Sequence, residues 1–104
     1  MNAWVLLILA GLAEIGWATG MKYTDGFTRP LPTALTLLMM AVSVVLLAQA
    51  IKVLPLGTAY AVWTGIGALG VAALGIAMFG EAASPLRLAG IGLIVAGIVV
   101  LKAG

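Results

Sequence analysis

The chain contains no cysteine and no histidine, and these two absences exclude several kinds of chemistry. Without cysteine there is neither a disulfide framework nor a thiol nucleophile. Without histidine, a zinc site or a histidine-based acid–base pair is excluded. The acidic residues are Glu14, Asp25 and Glu81 alone, which is too few for a metal site built from carboxylates. We therefore expect no thiol or histidine catalysis and no metal site. We also predict that the protein is not an enzyme and uses no cofactor.

Charge is also scarce, and apolar side chains take its place. Charged residues make up 8% of the 104 residues and hydrophobic residues 64%, and the mean hydropathy is +1.29. A soluble domain of this size could not cover such a composition with polar surface. The net charge of +2 is too small for a nucleic-acid surface and suits a protein flanked by lipid headgroups. The composition predicts an integral membrane protein with no nucleic-acid partner.

Four apolar runs divide the chain, and each is predicted to form a transmembrane helix. They cover residues 3–21, 33–51, 58–79 and 86–101, with the breaks marked by proline, glycine and charged residues. A helix needs about 20 residues to cross the hydrocarbon core. No basic residue precedes the first run, so we interpret it as a retained helix and not as a signal peptide. The predicted fold class is an all-α membrane protein, with residues 1–104 forming one four-helix domain.

Glu14 is the one charged residue inside the first apolar run. A carboxylate at membrane depth costs at least a few kcal/mol, and such residues mark substrate or proton pathways. Glutamate is too short to reach the interface, so it must face protein or a water-filled cavity. The alternative is a protonated, hydrogen-bonded glutamate that serves packing alone, although a neutral glutamine would do that at lower risk. We predict that Glu14 is the functional centre of the chain.

The first helix offers space and a donor beside this carboxylate. At helical spacing, Gly11, Glu14 and Trp17 share one face. Gly11 leaves room next to the carboxylate, and Trp17 brings an indole N–H and a flat ring one turn further on. This face is therefore predicted to line a binding site.

Other helices are predicted to supply more donors and aromatic walls. Tyr60 and Trp63 share a face of the third helix, and Ser43 is the only hydroxyl near the middle of the second. One carboxylate with several donors and flat aromatic rings suits a small planar organic cation. The alternative is that the aromatic residues form a belt at the membrane interface, which fits Trp4 better than Trp17 or Trp63.

Glycines in the third run match a nucleotide-binding pattern by spacing alone. Gly65, Gly67 and Gly70 fit G-x-G-x-x-G, but they lie inside a spanning run with no preceding strand. The pattern is better interpreted as a pliable or kinked helix that permits close packing.

Size favours an oligomer, because four short-looped helices cannot both enclose an aqueous pathway and pack against each other. A site between subunits would resemble the midplane sites between repeats of larger transporters. In the fourth helix, a stripe of Gly90, Leu93, Ile94 and Gly97 would allow two helices to approach closely. The alternative is that this stripe packs within the subunit.

The basic residues are nearly balanced between the two faces of the membrane. Lys22, Arg29 and Arg87 lie in the first and third loops, whereas Lys52 and Lys102 lie on the opposite side. Three against two gives almost no positive-inside bias. Insertion in both orientations, and hence an antiparallel homodimer, is therefore possible; the alternative is that one orientation dominates.

Several motifs together resemble the small multidrug resistance family along the whole chain. They are Glu14 with Trp17, the segment KYTDGFTR at 22–29, the segment PLGTAYAVWTGIGA at 55–68, and the stripe containing Gly90 and Gly97. Within that family the chain is similar to the guanidinium-exporter subtype, because of Trp17 after Glu14, the GFTR loop and Ser43.

The resemblance implies a function and a set of site residues. It implies an antiparallel, dual-topology homodimer in the bacterial inner membrane that exports guanidinium and small substituted guanidinyl cations in exchange for protons. Protons and substrate would compete for the paired Glu14 carboxylates. By position, it implies a site lined by Trp17, Ser43, Tyr60 and Trp63, a hinge at Gly65 and Gly67, and a dimer interface at Gly90 and Gly97.

Two other functions stay open at this point. The first is export of a broader range of quaternary ammonium or multidrug cations by the same kind of protein. The second, from a different class, is a non-transporting membrane subunit that conducts protons or serves assembly.

Overall fold

The structure of the protein is a computed structural model that describes residues 2–104. The described residues form four α-helices: α1 (Ala3–Gly20), α2 (Pro30–Ala50), α3 (Leu56–Phe79) and α4 (Pro85–Ala103). A short 3-10 helix, Met21–Tyr23, extends α1. All four α-helices are long and apolar enough to cross a membrane. The predicted all-α architecture with four spanning helices is confirmed.

Three of the four helices begin earlier than the apolar runs alone predicted, and for α2 and α4 proline is the reason. We placed the start of the second helix at residue 33, but α2 begins at Pro30. Proline fits the first turn because its missing N–H has no helical partner there. For the same reason α4 begins at Pro85, and it continues to Ala103 rather than ending at residue 101. Helix α3 begins at Leu56, so Gly57 lies inside it and not in the preceding break.

Side chains and glycine cap three of the helix ends. The side-chain oxygen of Asn2 accepts a hydrogen bond from the backbone N–H of Trp4 (2.8 Å), and the Ser84 hydroxyl accepts one from Arg87 N–H (3.2 Å). Helix α3 ends at Gly80, whose φ of 67° lies in the left-handed region. Such caps satisfy backbone groups that a helix end leaves free.

The core lies where α1 packs against α2 and α3. Its buried members are Leu7, Ala10, Ala50, Ala59, Val62 and Trp63. Among the described helices, the backbone of α4 lies close to α3 alone, and no residue of α4 is buried. Most of the α4 surface is therefore free of contact within this chain.

Contacts between aromatic and basic side chains join the helices at both ends. Near the end of α1, Lys22 Nζ lies 4.7 Å from the centre of the Phe79 ring, and the Tyr23 ring lies 5.9 Å from the same ring. Near the start of α1, Lys102 Nζ lies 5.5 Å from the Trp4 ring. Cation–π contacts of this kind tie α1 to α3 at one end and to α4 at the other.

Each of three α3 glycines provides space for a side chain of a neighbouring helix. A Cβ atom added at Gly65 would lie 2.9 Å from Ile98 Cδ1, which belongs to α4. One added at Gly67 would overlap the carboxyl group of Glu14, and one added at Gly70 would overlap the side chain of Ile15. The G-x-G-x-x-G pattern is thus a packing surface inside a continuous helix.

Candidate functional site

The carboxyl group of Glu14 lies directly on the backbone of α3. Glu14 is half-buried, and the contact is made at Gly67, which is buried. A Cβ atom at position 67 would lie 2.9 Å from Glu14 Cγ and would overlap the carboxyl group itself. The missing side chain of Gly67 is therefore what allows the carboxyl group to rest against α3.

Two polar atoms on this face of α1 are buried and lack a hydrogen-bond partner within residues 2–104. They are Oε2 of Glu14 and Nε1 of Trp17. A buried acceptor or donor without a partner costs about 1–3 kcal/mol, so such atoms in a folded protein need an explanation. The hydroxyl groups of Thr19 and Thr33 are also buried without a partner among the described residues. Glu14 and Trp17 differ from them because their acceptor and donor lie one helical turn apart on one face of α1, where a single ligand would contact both.

Ser43 joins three helices through a pair of buried hydrogen bonds. Its hydroxyl donates to the backbone carbonyl of Ala10 (2.7 Å) and accepts the indole N–H of Trp63 (2.9 Å). In an α-helix the carbonyl of Ala10 also accepts the backbone N–H of Glu14. The hydroxyl proton is thus directed to the α1 backbone one turn before Glu14, and not to its carboxylate. Ser43 nevertheless fixes Trp63 relative to the turn that carries Glu14.

Tyr60 and Trp63 form an aromatic pair on α3. Their ring centres lie 5.5 Å apart at an angle of 54°. Trp63 is 9% exposed, whereas Tyr60 is 54% exposed. The pair therefore consists of one ring held by Ser43 and one ring that is open to the surroundings of this chain.

Gly11 lies in the contact between α1 and α3. It is buried, and a Cβ atom there would lie 2.6 Å from Cγ2 of Ile66. The space beside Gly11 is thus occupied by a side chain of α3. Whether Gly11 also lines the ligand site stays a prediction.

The glycine stripe of α4 faces away from the rest of the chain. Nothing among the described residues lies within 4 Å of a Cβ atom added at Gly90 or Gly97. Leu93, between them, is 74% exposed. Ile94 is the exception, since its side chain packs towards Gly65 of α3. Packing within the subunit therefore does not explain the two glycines, and their role as a dimer interface stays a prediction.

A metal site has no support in the described part of the chain. Within residues 2–104, no three acidic, histidine or cysteine side chains come together. Glu81 instead lies near Arg87, with Oε1 and a guanidinium nitrogen 3.9 Å apart at the surface. A surface pair of this kind contributes at most about 1 kcal/mol to stability.

Two contacts of the candidate site are visible in the structure and could not be predicted from the sequence. The first is the hydrogen bond from Ser43 to the backbone carbonyl of Ala10, which the sequence does not indicate because every residue has a carbonyl group. The second is the seat of the Glu14 carboxyl group on Gly67, which depends on how α1 and α3 are aligned. Gly67 could be singled out from the sequence, but its contact with Glu14 on α1 could not be predicted.

Four spanning helices with a single intramembrane carboxylate define a small multi-pass membrane protein. A family model described as Small Multidrug Resistance protein matches residues 2–94. The chain belongs to the small multidrug resistance family, which confirms the resemblance predicted from the motifs.

Curated relatives cover almost the whole chain. Proteins named Guanidinium exporter from Citrobacter freundii and from Escherichia coli (strain K12) are each 57% identical over 100 residues. The alignment covers 96% of this chain and 95% of each relative. The similarity thus extends over all four helices and their loops.

Proposed function

We propose that this protein exports guanidinium and small substituted guanidinyl cations in exchange for protons. The observation that carries the proposal is the half-buried carboxyl group of Glu14, whose Oε2 has no partner among the described residues. The names of relatives that are 57% identical over nearly the whole chain support the same substrate.

The chemistry of the site suits this cation. Guanidinium is planar and presents parallel N–H donors, which match the two oxygens of a carboxylate. Its flat face stacks on aromatic rings, which Tyr60 and Trp63 would supply. The buried Trp17 N–H is a donor that would hold the carboxylate in place. The positive charge of the ligand offsets the cost of an ionised carboxylate in the membrane.

Exchange with protons follows if the two ligands share one group. A proton and a guanidinium cannot occupy the same Glu14 carboxylate together, so binding of one displaces the other. In a homodimer, two Glu14 side chains near one pocket would interact and titrate as a pair. Proton binding on one side of the membrane would then release the cation there, and Gly65 and Gly67 would act as the hinge between the two states.

The partner subunit is proposed to be a second copy in the opposite orientation. Gly90 and Gly97 support this, because they present backbone that nothing in the described chain covers. In lipid, small residues allow two helices to approach closely. The three-against-two balance of basic residues would permit both orientations in a bacterial inner membrane.

The test is flux in proteoliposomes that contain the purified protein. An imposed guanidinium gradient should drive proton movement in the opposite direction, reported by a pH-sensitive dye inside the vesicles. A larger response to bulky quaternary ammonium ions would favour the broader exporter. Proton flux without any cation would favour the non-transporting proton-conducting subunit, and neither outcome is compatible with the proposal.

A further inference from the structure

We propose that Gly67 is a positioning residue for the Glu14 carboxylate, because its missing side chain forms the seat that holds the carboxyl group on α3. This inference rests on the proposed function and deepens it. It assigns to Gly67 a role in ligand binding itself, in addition to any bending of α3 during exchange.

The Glu14 carboxyl group fills the volume that a side chain at position 67 would occupy, so no empty space is left there. Gly67 is buried, and the position of its absent Cβ is taken by the carboxyl group of Glu14. An alanine there would overlap the carboxyl carbon and Oε2 and would approach Cγ to 2.9 Å. Contacts below 3 Å between such atoms do not persist, so one of the two groups must move.

The backbones of α1 and α3 are poorly placed to move, because the helices interlock on both sides of this contact. On one side, Ile66 fills the space at Gly11, and on the other Ile15 fills the space at Gly70. Packed interiors transmit strain because they contain little free volume. A methyl group at position 67 is therefore expected to displace the flexible Glu14 side chain, which has other rotamers available.

The position on α3 that the carboxyl group contacts follows the aromatic pair Tyr60 and Trp63 along the helix. Tyr60, Trp63 and Gly67 follow one another at helical spacing on the same face of α3. Trp63 is fixed by its hydrogen bond to Ser43. The carboxyl group of Glu14 thus rests on α3 one helical turn after the residue that Ser43 holds in place.

The main experiment measures guanidinium affinity in the purified, detergent-solubilised protein, with tryptophan fluorescence as the signal. We expect Gly67→Ala to weaken binding by about tenfold, which lies within the range measured for directly contacting pairs. The matched control is Gly70→Ala, which adds the same group to the same helix but overlaps Ile15. It should lower thermal stability while changing guanidinium affinity much less.

A second substitution tests whether the carboxyl group is the affected partner. Glu14→Asp shortens the side chain by one methylene and withdraws it from position 67. Glu14→Asp should therefore weaken binding in the wild-type background and restore part of it in the Gly67→Ala background. Independent effects in this double-mutant cycle would overturn the inference.

Folding gives a third readout if Gly67→Ala does not assemble. Glu14→Ala removes the carboxyl group, so the double variant Glu14→Ala/Gly67→Ala should recover helicity and thermal stability. If it does not, the methyl group clashes elsewhere and the inference is wrong. A pure hinge role makes a different prediction, since Gly67→Ala would then slow exchange while leaving guanidinium affinity unchanged.

These outcomes are separable from failure of the proposed function. If the wild-type protein neither binds guanidinium nor exchanges it for protons, the proposed function fails. If the wild type does both, but Gly67→Ala and Gly70→Ala weaken binding equally, only the role of Gly67 fails.

Discussion

Three glycines in the middle of α3 and three glycines of α4 are the same residue type in adjacent helices, yet their surroundings differ. Gly65, Gly67 and Gly70 each provide space for a side chain of a neighbouring helix in the same chain. On α4, nothing within residues 2–104 lies within 4 Å of a Cβ added at Gly90, Gly92 or Gly97. In lipid, where apolar burial drives association weakly, such close approach is a main source of helix contact. The α3 glycines shape the interior of the subunit, and those of α4 leave backbone available to another molecule.

The largest effect is expected at Glu14, the carboxylate of α1 that rests on Gly67 of α3. Glu14→Gln keeps the shape that rests on Gly67 and removes the titratable group. Proton-coupled guanidinium exchange in proteoliposomes should be abolished, while crosslinking should still detect an assembled dimer. Exchange at the wild-type rate in this variant would mean that another group binds the proton.

A change in charge balance tests whether the open face of α4 meets a chain of opposite orientation. Two lysines added next to Lys102 should fix one orientation by the positive-inside rule. This variant alone should lose most of its transport, and co-expression with an oppositely biased variant should restore it. Full activity of the biased variant by itself would rule out the antiparallel dimer.

Substitutions on α4 test whether Gly97, which lies on the stripe with Gly90, matters more for dimer formation than Gly92, which lies off it. If Gly97 lies in the proposed dimer interface, Gly97→Leu should separate the two helix backbones, with loss of dimer in detergent before any loss of helicity. Gly92→Leu is the matched control, because Gly92 is equally open but lies off the stripe formed by Gly90 and Gly97. Equal loss of dimer in both variants, measured by size-exclusion chromatography with light scattering, would contradict the predicted interface.

The smallest effect is expected for Ser43. Its hydroxyl group contacts the Ala10 carbonyl, one helical turn before Glu14, and the Trp63 indole. Ser43→Ala leaves the buried Trp63 N–H without its acceptor, at a cost of about 1–3 kcal/mol in the free energy of unfolding. Because Trp63 then loses its fixed position, guanidinium exchange should weaken while bulky quaternary ammonium ions compete as well as before or better. If the variant weakens both cations equally, or neither, selectivity does not depend on this contact.

The four-helix architecture could be predicted from the sequence, because each membrane-spanning helix corresponds to a long apolar run. The sequence also led to the prediction that Glu14 is the functional centre, because a lone charge in such a run has few explanations, and this stays a prediction. The apolar runs alone placed the starts of α2 and α4 too late, because each run was counted from the residues after its prolines, whereas proline fits the first turn of a helix.

The contacts of the site could not be predicted in the same way. We expected the Ser43 hydroxyl to hold the Glu14 carboxylate, whereas its proton goes to the Ala10 carbonyl. That bond depends on the rotation of α1 against α2, and helical periodicity specifies a face to within about a residue and not a particular atom. The seat on Gly67 likewise depends on the alignment of α1 and α3.

The most direct test of the account is proton release on ligand binding. Guanidinium is added to the detergent-solubilised protein in weakly buffered solution, and the pH change is recorded at a pH where the unliganded site is expected to hold protons. If guanidinium and protons compete for Glu14, wild-type protein should release protons in proportion to the guanidinium bound, and Glu14→Gln should release none. Guanidinium binding without proton release, or release that persists in Glu14→Gln, would contradict the shared site.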